Sequence, residues 1–210
     1  MINRRMLATT AAAWLAFSAA LPMSALAAEE TPDALVKRVS ADVLDTIRND
    51  KTLKSGDVAR VSALVDKVVM PHVNFQRMTA AAVGPKWREA TPDQKQRLQA
   101  EFKALLIRTY SGALAQVNDQ TVVVKPMRAA PGDKDVLVRT EVRGKGDPIQ
   151  LDYRLEQNAE GVWRIYNLNV LGVWLVETYR SQFATEINAK GIDGLIATLS
   201  ARNQSNAKKT

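Results

Sequence analysis

The 210-residue sequence contains no cysteine and a single histidine. Disulfide frameworks, thiol catalysis and Cys/His metal clusters are therefore excluded. Aromatic residues are sparse at 6%, while 46% of residues are hydrophobic and 24% charged. That mixture is too apolar for a disordered chain and too even for collagen or a coiled coil. Past residue 27 no apolar run approaches the ~20 residues of a membrane span. Also missing are a G-x-S-x-G elbow, a Walker loop, a dinucleotide fingerprint and EF-hand spacing. Gly144-Lys145-Gly146 is followed by Pro148 and a strand-like run, so it reads as a turn and not as a phosphate cradle. One imidazole, His72, is left for acid–base chemistry. A general base needs an orienting carboxylate, and Asp66 is the nearest in sequence. We read His72 as structural and expect no catalytic residue, no cofactor and no metal.

What is present begins with a leader. Arg4 and Arg5 precede an apolar run from Met6 to Leu21, and Ala25-Leu26-Ala27 forms a small-x-small cleavage site. Residues 1–27 therefore read as a secretory signal peptide. The run is too short for a membrane anchor and ends at Pro22. One arginine pair does not make a twin-arginine signal, so Sec export is the expected route. In a bacterium the destination is the periplasm or beyond. Residues 28–200 are expected to form a single domain, and 201–210 a basic, flexible tail carrying Arg202, Lys208 and Lys209. The formal charge of +7 raises nucleic acid and anionic lipid as partners. Its basic residues are spread among acids, without the dense stripe of a nucleic-acid interface, and no nucleic-acid partner is expected.

The first half has helical periodicity. Thr31-Pro32 opens a helix with Leu35, Val36, Val39, Val43 and Ile47 on one stripe. Ser55 is expected to begin a second helix with Val58, Val61, Leu64, Val65 and Val68 inward, ending at Pro71. A short helix from Phe75 to Val83 stops at Gly84-Pro85. Thr91-Pro92-Asp93-Gln94 is a capping box for a long helix with Leu98, Phe102, Leu105, Leu106, Tyr110 and Ala113 inward. The second half alternates with period two. Thr121–Lys125 is a short strand, Val136, Val138, Thr140 and Val142 form one strand face, and Ile149, Leu151, Tyr153 and Leu155 form another. Pairing Val142 with Ile149 sets Arg139 opposite Asp152, whereas a two-residue slip opposes like charges. From Val162 to Val170 the parity changes, which calls for a bulge near Tyr166-Asn167 or for cover on both faces. Two helices close the chain, with stripes Leu175, Tyr179, Phe183, Ile187 and Ile192, Leu195, Ile196, Leu199. The fold class is α+β: about six helices on one face of a curved, roughly four-stranded antiparallel sheet.

Several short stretches carry a likeness. They are Pro71-His72-Val73-Asn74-Phe75-Gln76-Arg77-Met78, Trp87-Arg88, Ala90-Thr91-Pro92-Asp93-Gln94 and Arg108-Thr109-Tyr110. Trp163-x-x-Tyr166, Gly172-Val173, Tyr179-Arg180-x-Gln182-Phe183 and Gly191-Ile192-Asp193-Gly194-Leu195 continue the series in order. Over roughly residues 30–200 the sequence resembles the MlaC family of periplasmic phospholipid-binding proteins, also described as toluene-tolerance auxiliary or ABC-transport components. The resemblance implies a helix-and-sheet fold enclosing a deep apolar pocket for acyl chains. It also implies a shuttle between an outer-membrane lipoprotein–porin complex and an inner-membrane ABC transporter with its membrane-anchored receiving ring, maintaining outer-membrane lipid asymmetry. Phospholipid would be cargo. The sequence departs from the family pattern at Asn74 and Asn167, where acids are expected, at Pro85, and at Trp174, where it would narrow the pocket or its mouth.

On that resemblance, and on position and face, the helical wall is assigned to Val73, Phe75, Met78, Phe102, Leu106 and Tyr110. The sheet side is assigned to Val138, Leu151, Tyr153, Val170 and Val173, with Trp174 beside them. Without a clustered arginine site, the head group is expected at the mouth. Two acyl chains carry about 30 methylenes, worth on the order of 24 kcal/mol at ~0.8 each when taken out of water. An unrelaxed void of about 1,000 Å³ would cost a similar roughly 24 kcal/mol. An empty form is therefore expected to collapse, or the protein to purify with lipid. Two other readings of the residues remain: a cargo-free interaction module, and a small His72-dependent enzyme.

Overall fold

The computed structural model describes residues 30–130 and 132–207; the segment read as a signal peptide and Lys208-Lys209-Thr210 lie outside the described residues. Helix α1 (Pro32–Asn49) starts at the expected Thr31-Pro32 cap and buries Leu35, Val36, Val39, Leu44 and Ile47. The next helix begins later than Ser55. Ser55 ends a tight 3-10 turn that Gly56 closes at φ 75°. Asp57 then caps α2 (Val58–Leu64), its Oδ1 accepting from Ala59 N at 2.8 Å and Arg60 N at 3.2 Å. A widened turn over Val65–Val69 and a tight one over Met70–His72 carry the chain through Pro71, the expected end, to Val73.

Helix α3 (Phe75–Val83) has the expected bounds. Asn74 Oδ1 accepts from Arg77 N at its start, and Gly84 ends it at φ 76°, ψ −150° before Pro85. Helix α4 (Pro92–Ala115) carries the capping box, with Gln94 N donating to Thr91 Oγ1 at 3.2 Å and Thr91 N to Gln94 Oε1 at 3.0 Å. Its buried residues lie on two sides. Leu98, Phe102 and Leu105 face the later helices, whereas Ile107, outside the expected stripe, packs with Leu44, Ile47, Val61 and Leu64. Ala113, expected inward, is exposed.

The sheet runs in sequence order, each strand antiparallel to the next. Its strands are β1 (Thr121–Val124), β2 (Asp135–Arg143), β3 (Ile149–Gln157), β4 (Trp163–Val170) and β5 (Val173–Trp174). Val142 faces Ile149 and Arg139 faces Asp152, the register that avoids like-charge pairs. The parity change in β4 is a bulge: Leu155 faces Ile165 and Arg154 faces Asn167, leaving Tyr166 as the extra residue. The fifth strand exists because Leu171 and Gly172 both take positive φ and fold the chain back on β4.

The last helix, α5 (Leu175–Ala207), turns at Gly191 (φ 70°, ψ −174°) into two segments matching the two expected stripes. It passes Ala201, where a frayed tail was expected to begin. Asn203 is the reason: it is buried, and its Nδ2 donates to the Glu101 carbonyl at 3.0 Å and to Glu101 Oε2 at 2.7 Å. The central core joins α3, α4 and α5 through Phe102, whose ring lies 5.7 Å from Phe75, 5.0 Å from Tyr179 and 5.2 Å from Phe183. Such a cluster contributes beyond the apolar area it buries.

Candidate functional site

The strand register writes an apolar surface across the inner face of the sheet. Directly paired residues share a face, so Val136, Leu155 and Ile165 form one row, and Val138, Tyr153 and Leu168 the next. Val124, Thr140, Leu151, Val170 and Val173 form a third, and Val122, Val142 and Ile149 a fourth. Burial declines along this series. The first row is fully buried, the middle rows are mostly half-buried, and Ile149 in the last is 43% exposed.

The helices beneath explain the decline. Leu35, Val36 and Val39 of α1 pack against Val136, Val138, Leu155 and Ile165. From the other side α3 and α5 pack against β4, with Leu168 and Val170 joining their core. The central strand β3 lies over the line where these two sets of helices meet. Val73 belongs to both clusters, and its bridge to Ile165 pins the two halves at the closed end.

The structure sorts the twelve sequence-assigned residues into groups. Val73, Leu106, Tyr110 and Val170 are half-buried apolar side chains packed against the helical core, as are Leu168 and Met70, which sequence reasoning missed. Leu168 was recoverable, because the bulge at Tyr166 puts it in register with Tyr153. Leu151 and Tyr153 face the same line from β3. Burial pushes the Tyr153 phenol up, against an opposing effect of the Ser40 and Thr140 hydroxyls. Burial likewise raises Tyr110. Phe75, Met78 and Phe102 are interior core, and Val138 is fully buried beneath α1. Val173 sits at the sheet edge, 51% exposed.

Trp174 is elsewhere. It pairs with Asn169, in the row of Arg139 and Asp152, on the outer face of the sheet. Its ring lies 5.5 Å from the Arg154 guanidinium. Trp174 therefore covers the outer surface rather than narrowing an inner pocket. The two asparagine departures also have structural work. Asn74 caps α3 and donates its Nδ2 to Glu156 Oε1 at 2.7 Å. Buried Asn167 donates to Glu177 Oε2 at 2.9 Å and accepts from Val176 N at 3.2 Å, fastening the start of α5 to β4.

His72 is half-buried at the end of the tight turn before Val73. Asp66, its nearest carboxylate in sequence, binds Lys103 Nζ at 2.7 Å. Burial holds the imidazole below its ordinary pKa, helped by Arg38 and Arg164 and opposed by Glu30 and Asp42. Among the described residues no group of three or more His, Asp or Glu could hold a metal ion, and no helix is long and apolar enough to cross a membrane. Two surface cavities are present, the larger at the open end of the sheet's inner face. One of about 500 Å³ sits beneath the β2–β3 hairpin, and one of about 280 Å³ lies against α5 between Phe183 and Leu199.

Comparison with known proteins agrees with this architecture. Residues 37–201 match the family model described as MlaC protein. The chain is 30% identical over 181 residues to the toluene tolerance protein ttg2D of Pseudomonas putida, spanning 85% of this chain and 83% of that protein. It is 21% identical over 175 residues to the intermembrane phospholipid transport system binding protein MlaC of Haemophilus influenzae, covering 82% of each. A phospholipid-binding protein from Ralstonia solanacearum, solved in complex with a phospholipid, superposes with a TM-score of 0.81. Its identity is 46%, covering 86% of this chain and 99% of that one. With the family model matched across most of its length, the chain belongs to the MlaC family.

Proposed function

We propose that this protein is a non-enzymatic periplasmic phospholipid carrier. It takes lipid between an outer-membrane lipoprotein–porin complex and the receiving ring of an inner-membrane ABC transporter, and so maintains outer-membrane lipid asymmetry. The observation that carries the reading is the inner face of the sheet, apolar but for Thr140 in four registered rows, of which only the first is buried at every position. A sheet face that served only as core would be buried along its length. The complex of the Ralstonia relative with a phospholipid, at 46% identity, supports acyl chains as the occupant. The Haemophilus relative's name supports transport between membranes.

Acyl chains would enter along the line under β3, parting Leu151, Tyr153, Leu168 and Val170 of the sheet from Leu106 and Tyr110 of α4. A bilayer and this surface offer chains similar surroundings, so exchange between them is nearly isoenergetic. Escape into water exposes on the order of 30 methylenes at ~0.8 kcal/mol each. Handover therefore requires contact with a membrane complex.

Native mass spectrometry of the purified protein, followed by solvent extraction and lipid identification, tests the reading. The expected result is a stoichiometric mass increment that resolves to phospholipid. A clean apo mass that persists after incubation with lipid vesicles would overturn it in favour of a cargo-free module. Leu151→Glu, half-buried over the central line, should lower lipid content in a folded protein. Val138→Trp is the poorer probe, because overpacking a fully buried site under α1 costs about 1–3 kcal/mol by itself.

A further inference from the structure

The cavity beneath the β2–β3 hairpin has two kinds of wall. Val142 and Ile149 are the last row of the sheet's apolar inner face. Lys54, Asp119, Lys145 and Asp147 bring two ammonium and two carboxylate groups to its rim. All four are exposed, and none is in an ion pair with another described residue. Elsewhere the surface pairs its charges readily, as in Lys86–Glu89, Lys103–Asp66 and Lys190–Glu186. Here opposite charges surround one space without closing on each other.

The walls are held in place. Arg48 donates to the carbonyls of Asn118 and Gln120, and Asn118 N donates to Gln120 Oε1 at 2.6 Å, which fixes the loop between α4 and β1. The hairpin meets that loop at Gly144, where a Cβ would stand 2.9 Å from Gln120 Cγ. Only glycine permits this approach without moving Gln120.

We propose that this cavity is a head-group site selecting a zwitterionic head group, a phosphodiester joined to a primary ammonium, over an anionic one. The inference rests on the phospholipid-carrier reading. Chains lying on the inner face would bring their glycerol phosphate out past Val142 and Ile149. Lys54 and Lys145 would meet the phosphate, and Asp119 and Asp147 the ammonium. A head group with phosphate but no cation leaves both carboxylates facing a like charge. A quaternary ammonium has no N–H to donate to them.

The test is uptake from vesicles of equimolar phosphatidylethanolamine and phosphatidylglycerol with identical acyl chains. Bound lipid is quantified by mass spectrometry after the protein is separated from the vesicles. Exposed charge pairs support a roughly threefold enrichment of phosphatidylethanolamine in the wild type. The double variant Asp119→Asn/Asp147→Asn should bring the ratio close to that of the vesicles, with total bound lipid unchanged. Lys54→Gln/Lys145→Gln should reduce both lipids together. The same ratio in the wild type and the double asparagine variant, with normal loading, overturns the head-group site and leaves the carrier reading intact. No lipid taken up by the wild type overturns both. Titration with glycerophosphoethanolamine separates the source of the head group: no measurable binding is expected. Aspartate-dependent binding of that soluble compound, without lipid uptake, would overturn a lipid ligand.

Discussion

Arg77 of α3 stacks on Tyr166 of β4, its guanidinium carbon 3.6 Å from the ring centroid. Tyr166 is the extra residue of the bulge, and its hydroxyl donates to Asp135 Oδ2 on β2 at 2.7 Å. Arg77 also reaches Asp135 at 3.3 Å and pairs with Glu156 of β3. The bulge thus turns one aromatic residue across the outer face, where it ties a helix of the central core to three strands. Arg77 and Asp135 are more than a third exposed, so their charges count for less than the geometry alone would give.

The clamp predicts coupled losses. Tyr166→Phe keeps the ring under Arg77 and loses the hydrogen bond, costing about 1 kcal/mol of stability. Arg77→Ala removes the stack and both ion pairs, costing about 1–2 kcal/mol. The double variant should lose less than the sum, by about 0.5 kcal/mol or more in urea unfolding. Strictly additive losses would mean that the two side chains act independently.

Gly191 predicts a backbone effect without a packing effect. Its φ of 70° with ψ of −174° lies in a region essentially reserved for glycine, and an added Cβ would meet nothing within 4 Å. Gly191→Ala should therefore cost about 1–3 kcal/mol through strain alone. The altered turn should also weaken the hydrogen bond from Gln94 Nε2 to Asp193 Oδ1, which joins α5 to the start of α4. A neutral effect in thermal or urea unfolding would show that the two segments can rejoin at another angle.

His72 predicts a pH dependence near neutrality. Burial, with Arg38 and Arg164, holds its folded pKa below the ordinary value of about 6.5. The unfolded chain then binds the proton more readily, so stability is full above about 6.5 and declines as pH falls toward the folded value. Glu30 and Asp42 oppose the shift without reversing it. As the sequence has one histidine, His72→Gln should remove the slope between pH 7.5 and 5.5. The carboxylates Glu30, Asp50, Glu141 and Glu186 are all held below their ordinary range, so their loss of stability appears only at lower pH. Denaturant titration at the two pH values checks this, and an equal slope in the variant would assign it elsewhere.

Local chemistry made much of the fold legible. The capping box at Thr91 and Gln94, the stop at Gly84, and the charges on Arg139 and Asp152 each act over a few residues or one strand pair. Even the bulge left a mark, because an inner face must stay apolar and Ile165 and Leu168 differ in parity. Longer-range facts left none. Ile107 lies off the main stripe of α4 because two separate cores grip that helix from different sides. Trp174 follows Val173, yet a strand alternates its faces, so one turns in and the other out. The cavity under the hairpin collects Lys54, Asp119 and Asp147 from three separate connections, and no spacing in the sequence joins them.

Leu171 predicts a stabilising substitution. It lies with Gly172 in the two-residue turn between β4 and β5, at φ 51°, and its side chain is 64% exposed. Two positive φ values are the pattern of a type I′ turn, where asparagine followed by glycine is favoured and a branched apolar residue is not. Left-handed backbone costs an ordinary residue about 1–2 kcal/mol, and Leu171 recovers little of that by burial. Leu171→Asn should therefore raise stability by about 0.5–1 kcal/mol, seen as a higher urea midpoint at unchanged slope. A loss of stability instead would show that the leucine side chain packs against Ile149 or Val173 in solution more closely than its exposure indicates.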